Sequence, residues 1–359
     1  MAQIYELKDR TVCPPGGFVF KRKDGSKYEG TYAPDAVHEC LRHHGVAEQE
    51  AWQTVLHETY HNMAPGSREY FITKTTEALV CQNPTFRYVD PQMLLDCPYR
   101  YNPSLITVDG DDWLVYRRQL ANSDSTVCRF NFRTHENRTI EIKPLLYPCE
   151  QFEDPRVWWH DGSVFLLICS WKKNWNYRPI LRMFRLDEKW EISEEVQLTY
   201  GGNGKGTTQK NWVFFSHEGE HYFVYQYAPF QVVSGETLYS HKNLEWQFGQ
   251  IRGGTPPVRV GDLYFTFFHS RLDHGRSKYY MGALAFEAKA PFHPLWLTEV
   301  PLLTSTNREP NPAWTPLTVF PCGALFRNDT WTVSLGVNDM NCGLVDYGYG
   351  ELLKLMSPV

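Results

Sequence analysis

From about residue 100 onward the chain alternates short runs of turn formers with short runs of aromatic and β-branched residues. Five stretches share one wording: TVDGDDWLVYR at 107, WHDGSVFLLICSW at 159, SHEGEHYFVYQY at 216, RVGDLYFTFFHSR at 259 and FRNDTWTVSLGVND at 326. Each has a turn built from Asp, Glu, Gly or Asn, then a strand rich in rings. Such a turn fixes the register of a hairpin, and the strand after it runs through the middle of a sheet. Repetition at this spacing predicts a repeat architecture. Short strands grouped by fours are the pattern of β-propeller blades. The expectation is therefore an all-β, five-bladed β-propeller over residues 91–359, with an irregular β-sandwich as the alternative.

Residues 1–90 follow a different pattern and predict a small N-terminal α+β extension. GFVFKRKDGSKYEGTY reads as a hairpin around Asp24-Gly25. Helices are expected near Pro34 to His43 and from Ala47 to Asn62. In the second, Trp52, Val55, Leu56, Thr59 and Met63 fall on one face. That helix contains His57-Glu58-x-x-His61, the spelling of a zinc protease helix. Both histidines lie away from the apolar stripe, and APGSREYF downstream offers no third ligand. No metal site is expected.

Composition narrows the function. A formal charge of −5 gives no general attraction to nucleic acid or to anionic membranes. No apolar run reaches membrane-span length, and MAQIYELKDR lacks the apolar core of a signal peptide. Nine cysteines are scattered without a CxxC pair, so neither a zinc ribbon nor a disulfide framework is indicated. A reducing cytoplasm is the expected compartment. The sequons at Asn137 and Asn328 are then idle. Phe, Trp and Tyr make up 15% of the chain. Most of these rings are assigned to the core, and some to stacking on sugars.

Polar groups in apolar surroundings mark the chemistry. They occur in CPYRYNPSLI with Tyr116-Arg117-Arg118, in FEDPRVWW, in TTQKNWVFF, in GGTPPV followed by His269, and at Asp339. Asp154 lies beside Glu153 and close to Arg156. A carboxylate pair can keep one member protonated, as a general acid requires. The same residues also fit a structural ion pair with Arg156. Lys210 before Asn211-Trp212 is either a surface lysine or a cation held against a packed wall.

The order of these stretches resembles glycoside hydrolase family 130, the five-bladed β-mannoside phosphorylases and their relatives. The matching wording runs from about Tyr101 to Lys354: YNPSLI, FEDPRV, QKNWVFF, GGTPPV, FFHS, YYMGAL, TVFPCG and SLGVND. The resemblance implies inverting attack by phosphate on a β-mannoside, with phosphate as co-substrate, no cofactor, and a small-molecule or oligosaccharide substrate. By resemblance Asp154 is the general acid, working through a sugar hydroxyl. Lys210 and His269 bind phosphate, with Arg117, Arg156 and Arg182 as further cations. Asn102, Gln209, Asn211, Thr255 and Asp339 contact sugar. Three positions depart from the family's pattern: Gln209 stands for Glu, Phe214 for Pro, and Ser270 for Gly. The chain is also similar to glycosyltransferase family 108. Mannosyl transfer, hydrolysis and silent glycan binding are therefore the rival readings.

Overall fold

The computed structural model describes residues 5–7, 17–22, 27–31, 85–97, 99–119, 125–143, 150–172, 179–198, 210–272, 278–304 and 318–359. Both expected N-terminal helices, the His57–His61 motif, the Asp24-Gly25 turn and Gln209 lie outside these residues. The chain divides into two compact units, one of residues 1–84 with 299–304, the other of residues 85–298 with 305–359. In the first, Tyr5–Leu7, Gly17–Arg22 and Lys27–Thr31 form an antiparallel sheet, with Phe20 opposite Tyr28. The last two strands are those of the expected hairpin.

The second unit is a β-propeller of five sheets among the described residues, four with four strands and one broader. Blade one is Tyr99–Val108, Asp111–Gln119, Ser125–Asn131 and Asn137–Ile140. Blade two is Glu150–His160, Ser163–Lys172, Ile180–Leu186 and Ile192–Val196. Blade three is Val213–His217, Glu220–Tyr227, Phe230–Ser234 and Thr237–Ser240. In blade four the inner edge is split into Gln250–Arg252 and Val258–Val260, both paired with Leu263–Leu272. Lys278–Glu287 and Pro294–Thr298 follow, and Met356–Pro358 adds to the outside. Blade five is Val319–Arg327, Thr330–Val337 and Asn341–Gly348, with Thr85–Tyr88 as its outer strand. The unit boundary thus falls at 84/85 and not at 90/91, because residues ahead of blade one complete blade five.

The repeated phrase is the turn between the first and second strands of every blade. Asp109-Gly110, Asp161-Gly162, Glu218-Gly219 and Asn328-Asp329 all have positive φ at both residues, while blade four uses Gly261. Two consecutive left-handed residues match the twist of the flanking strands, which is why Asp, Asn and Gly recur there.

The core lies between blades. Ile106, Val115 and Val127 of blade one pack with Val157, Leu166 and Phe184 of blade two. Phe215, Val224 and Phe230 of blade three pack with Tyr264, Leu284 and Phe286 of blade four. Trp331, Tyr116, Tyr280 and Phe130 are among the largest fully buried side chains, so the aromatic excess serves mainly the core. The first strands of blades one, two, three and five contact one another around the axis. Residues leaving those strands therefore meet in one channel. No helix among the described residues is long and apolar enough to cross a membrane.

Candidate active site

Two inner strands break register at an x-Pro step. In blade one the pairing jumps from Tyr101–Arg117 to Ser104–Val115, so Asn102-Pro103 bulges out. In blade two it jumps from Glu153–Cys169 to Arg156–Leu167, so Asp154-Pro155 bulges out. Proline has no N–H to give to the ladder, which suits it to a bulge. Asn102 and Asp154 both adopt left-handed backbone, with φ of 50° and 53°. Such residues cost of order 1 kcal/mol each and persist only where packing fixes them.

The two bulges face each other. Asn102 Nδ2 donates to Asp154 Oδ1 at 2.8 Å, and both residues are buried. Gly336 makes this approach possible: a Cβ there would stand 1.9 Å from Asn102 Oδ1. That oxygen is buried without a partner among the described residues.

Glu153 bonds elsewhere. Its carboxylate accepts from Arg117 Nη1 at 2.9 Å and from Lys210 Nζ at 3.0 Å. Arg117 also lies over the Tyr101 ring, at 4.8 Å. Burial alone would favour neutral Lys210, but the carboxylates of Asp154 and Glu153 outweigh it and raise its pKa above the ordinary lysine range. Arg117 is held charged in the same way, against its burial, mainly by Glu153.

Asp339 joins this group electrostatically. It follows Asn338, both residues have φ of 54°, and Asn338 is tied to Thr318 through backbone and side chain. Asp339 is half-buried. Burial raises its pKa to about 6; Asp154 and Glu153 add to the rise, while Arg117 and Lys210 oppose it.

Arg156 braces the strands that line the channel. Its guanidinium donates to Gly254 O at 2.7 Å, Gly253 O at 3.1 Å and Asp154 O at 3.2 Å, and reaches Asn211 Oδ1 at 3.5 Å. Three of its five N–H donors go to backbone carbonyls, two of them at the split edge of blade four, so it ties blade two to blade four. The expected ion pair with Glu153 or Asp154 does not form. Glu153 pairs across three blades instead.

Three expected site residues have other surroundings. Arg182 forms a two-point pair with Glu195 at 2.8 and 2.9 Å and donates to Lys143 O. It lines a cavity of about 490 Å³ with Arg129, Arg138, Trp190 and Glu195, among the outer strands of blades one and two. Thr255 is fully buried, and its hydroxyl accepts from Phe267 N at 2.9 Å. It fixes the split edge of blade four and is closed to a ligand. His269 is buried between Tyr279 and Phe320. Burial, then Arg156 and Arg252, push its imidazole well below the ordinary range, which disfavours a cation there. Among the described residues no cluster of His, Cys, Asp and Glu has the makings of a metal site.

The channel thus gathers Asn102, Asp154, Glu153, Arg117, Lys210, Asn211 and Asp339. Residues 98–358 match the model of a family described as beta-1,4-mannooligosaccharide phosphorylase. The chain belongs to glycoside hydrolase family 130. Among curated relatives, beta-1,2-mannobiose phosphorylase of Listeria innocua is 23% identical over 233 residues, covering 60% of this chain and 64% of the relative. The chain therefore spans just under two thirds of that protein. The same Listeria innocua enzyme, solved with beta-1,2-mannobiose, superposes with a TM-score of 0.57 at 15% identity, over 76% of this chain and 99% of that one. MPT-1, a GDP-Man-dependent mannosyltransferase of Leishmania mexicana, superposes with a TM-score of 0.52 at 15% identity, over 79% and 93%. These two likenesses show a shared fold. The family 130 region takes in every channel residue, whereas residues 1–97 precede it.

Proposed function

We propose that this chain is an inverting β-mannoside phosphorylase acting on a small oligosaccharide. The observation that carries the reading is the Asn102–Asp154 contact set in one channel with the Arg117–Glu153–Lys210 chain. One part is a buried carboxyl with a fixed donor. The other is a pair of permanent cations suited to an anionic nucleophile.

In this reading the mannosyl ring lies against Asn102 and Asp339. Phosphate lies against Lys210, on the side of the ring away from the leaving group. Asp154 gives its proton, through a sugar hydroxyl, to the glycosidic oxygen. The bond from the anomeric carbon to that oxygen breaks as a phosphate oxygen bonds to the same carbon with inversion. The products are mannose 1-phosphate and the freed sugar hydroxyl. The family's printed description names a β-1,4 linkage and the Listeria innocua relative's name a β-1,2 linkage. The reading takes the β-mannosidic bond common to both. Phosphate is its co-substrate, and it needs no other cofactor.

The test is incubation of wild type and Asp154→Asn with β-1,2- and β-1,4-mannobiose, with and without phosphate. Mannose 1-phosphate that requires both phosphate and Asp154 is the expected result. Free mannose alone would replace phosphorolysis with hydrolysis. No product, alongside turnover of GDP-mannose, would replace it with mannosyl transfer.

A further inference from the structure

Glu153 occupies the place between the two cations that a phosphate would seek. One oxygen accepts from Arg117 at 2.9 Å and the other from Lys210 at 3.0 Å. A carboxylate bridging two cations through two oxygens presents much the same face as a phosphate. The three residues come from blade one, blade two and the entry to blade three. The nearby Arg156 directs three of its five N–H donors to the Gly253, Gly254 and Asp154 carbonyls, which limits what it can offer a phosphate.

The two ends of the Arg117–Glu153–Lys210 chain differ. Arg117 is buried at 6% exposure and grips Glu153, yet its Nε has no partner among the described residues. The Lys210 side chain is one-third exposed. The Lys210 side is thus the more accessible end of the chain, and an incoming anion meets Glu153 already bound there.

We infer that Glu153 is an internal counter-anion that sets phosphate affinity: phosphate takes Lys210 from Glu153 on binding, while Arg117 keeps Glu153 in place. The identity of the anion rests on the phosphorylase reading. The apparent affinity is then reduced by the fraction of molecules in which Lys210 is already engaged. The return of Glu153 to Lys210 also helps expel the phosphorylated product. Glu153 is a positioning residue in this scheme, since it touches neither the sugar nor the reacting atoms.

The test is calorimetric titration of inorganic phosphate into wild type, Glu153→Gln and Glu153→Asp, with phosphorolysis kinetics in parallel. Glu153→Gln is expected to bind phosphate about three- to tenfold more tightly, because a like charge near the anion is gone. Its KM for phosphate should fall by a similar factor, and its kcat should fall as product is retained. Glu153→Asp keeps the charge and should stay within about twofold of wild type. Unchanged or weaker binding by Glu153→Gln, an equal gain in Glu153→Asp, or no phosphate binding by any form would overturn the inference. Tighter phosphate binding by Glu153→Gln without wild-type phosphorolysis would retain the counter-anion and remove the phosphorylase reading. Phosphorolysis with unchanged phosphate affinity would do the reverse. If Glu153→Gln does not fold, a crystal structure of wild type with phosphate decides. Lys210 Nζ on phosphate and withdrawn from Glu153 supports the inference, and both Glu153 contacts intact with phosphate bound overturns it.

Discussion

Asp339, one of the residues of the candidate site, carries a cost that pH exposes. Its folded pKa lies near 6 against an ordinary value of 3.8, because burial disfavours the carboxylate. Between those values the folded protein binds more protons than the unfolded chain, so stability falls as pH rises through that window. Asp339→Asn removes the penalty. Its thermal midpoint should exceed that of wild type at pH 7.5, by the equivalent of about 1–3 kcal/mol after allowing for solvent contact, and should match it near pH 3.5. Gly336 gives the opposite prediction. An added Cβ would collide with the Asn102 amide, so Gly336→Ala should cost about 1–3 kcal/mol in denaturant unfolding and lower activity by displacing the donor to Asp154. Asn102, Asp154, Lys210, Asn211 and Asp339 were legible in the sequence as polar residues set among apolar ones. Thr255 came from the same signal and Arg182 from the resemblance, and neither reveals that a partner is already bound. Glu153 was read as the partner of Asp154 in a carboxylate pair, and its bonds to Arg117 and Lys210 were not foreseen. Its neighbour in sequence, Arg156, suggested a pair, whereas the real partners come from other blades.

At the scale of elements, the turns were readable because left-handed backbone restricts composition. An added Cβ at Gly110, Gly162 or Gly219 would meet nothing within 4 Å. The residue is demanded by its φ of 72° to 82° and not by space. Gly162→Ala should therefore cost about 1 kcal/mol, and the mirror change Asp329→Gly, at φ of 55°, should gain about 0.5–1 kcal/mol. Urea midpoints shifting in opposite directions would bear this out. The bulges were less legible. Asn102-Pro103 and Asp154-Pro155 give a cue in their proline. The split edge of blade four, at GGTPP, depends on Thr255 bonding the next strand, which is a tertiary fact.

At the scale of the molecule, what matters is how the ring of blades is closed. Thr85–Tyr88 precedes blade one in the chain but pairs with Asn341–Gly348 as the last strand of blade five. This covers an edge that would otherwise expose unpaired N–H and C=O groups. The sequence placed the boundary at 90/91 because this strand stands outside the repeated phrase. Register identifies its weak point. Val89 N donates to Cys342 O, and bonded positions alternate in an antiparallel pair, so Arg87, opposite Leu344, is also a bonded position while Tyr88 is not. Arg87→Pro removes a ladder donor and should cost about 3 kcal/mol in a single unfolding transition. Arg87→Ala loses only an exposed ion pair with Asp346 and should cost about 0.5 kcal/mol or less. The closure also bears on chemistry. Blade five carries Gly336, which receives Asn102 of blade one, and Asn102 holds Asp154 of blade two. Arg87→Pro should therefore lower the proposed phosphorolysis even at temperatures where the protein remains folded. Full activity in a destabilised Arg87→Pro would show that blades one and five keep their register without the closing strand.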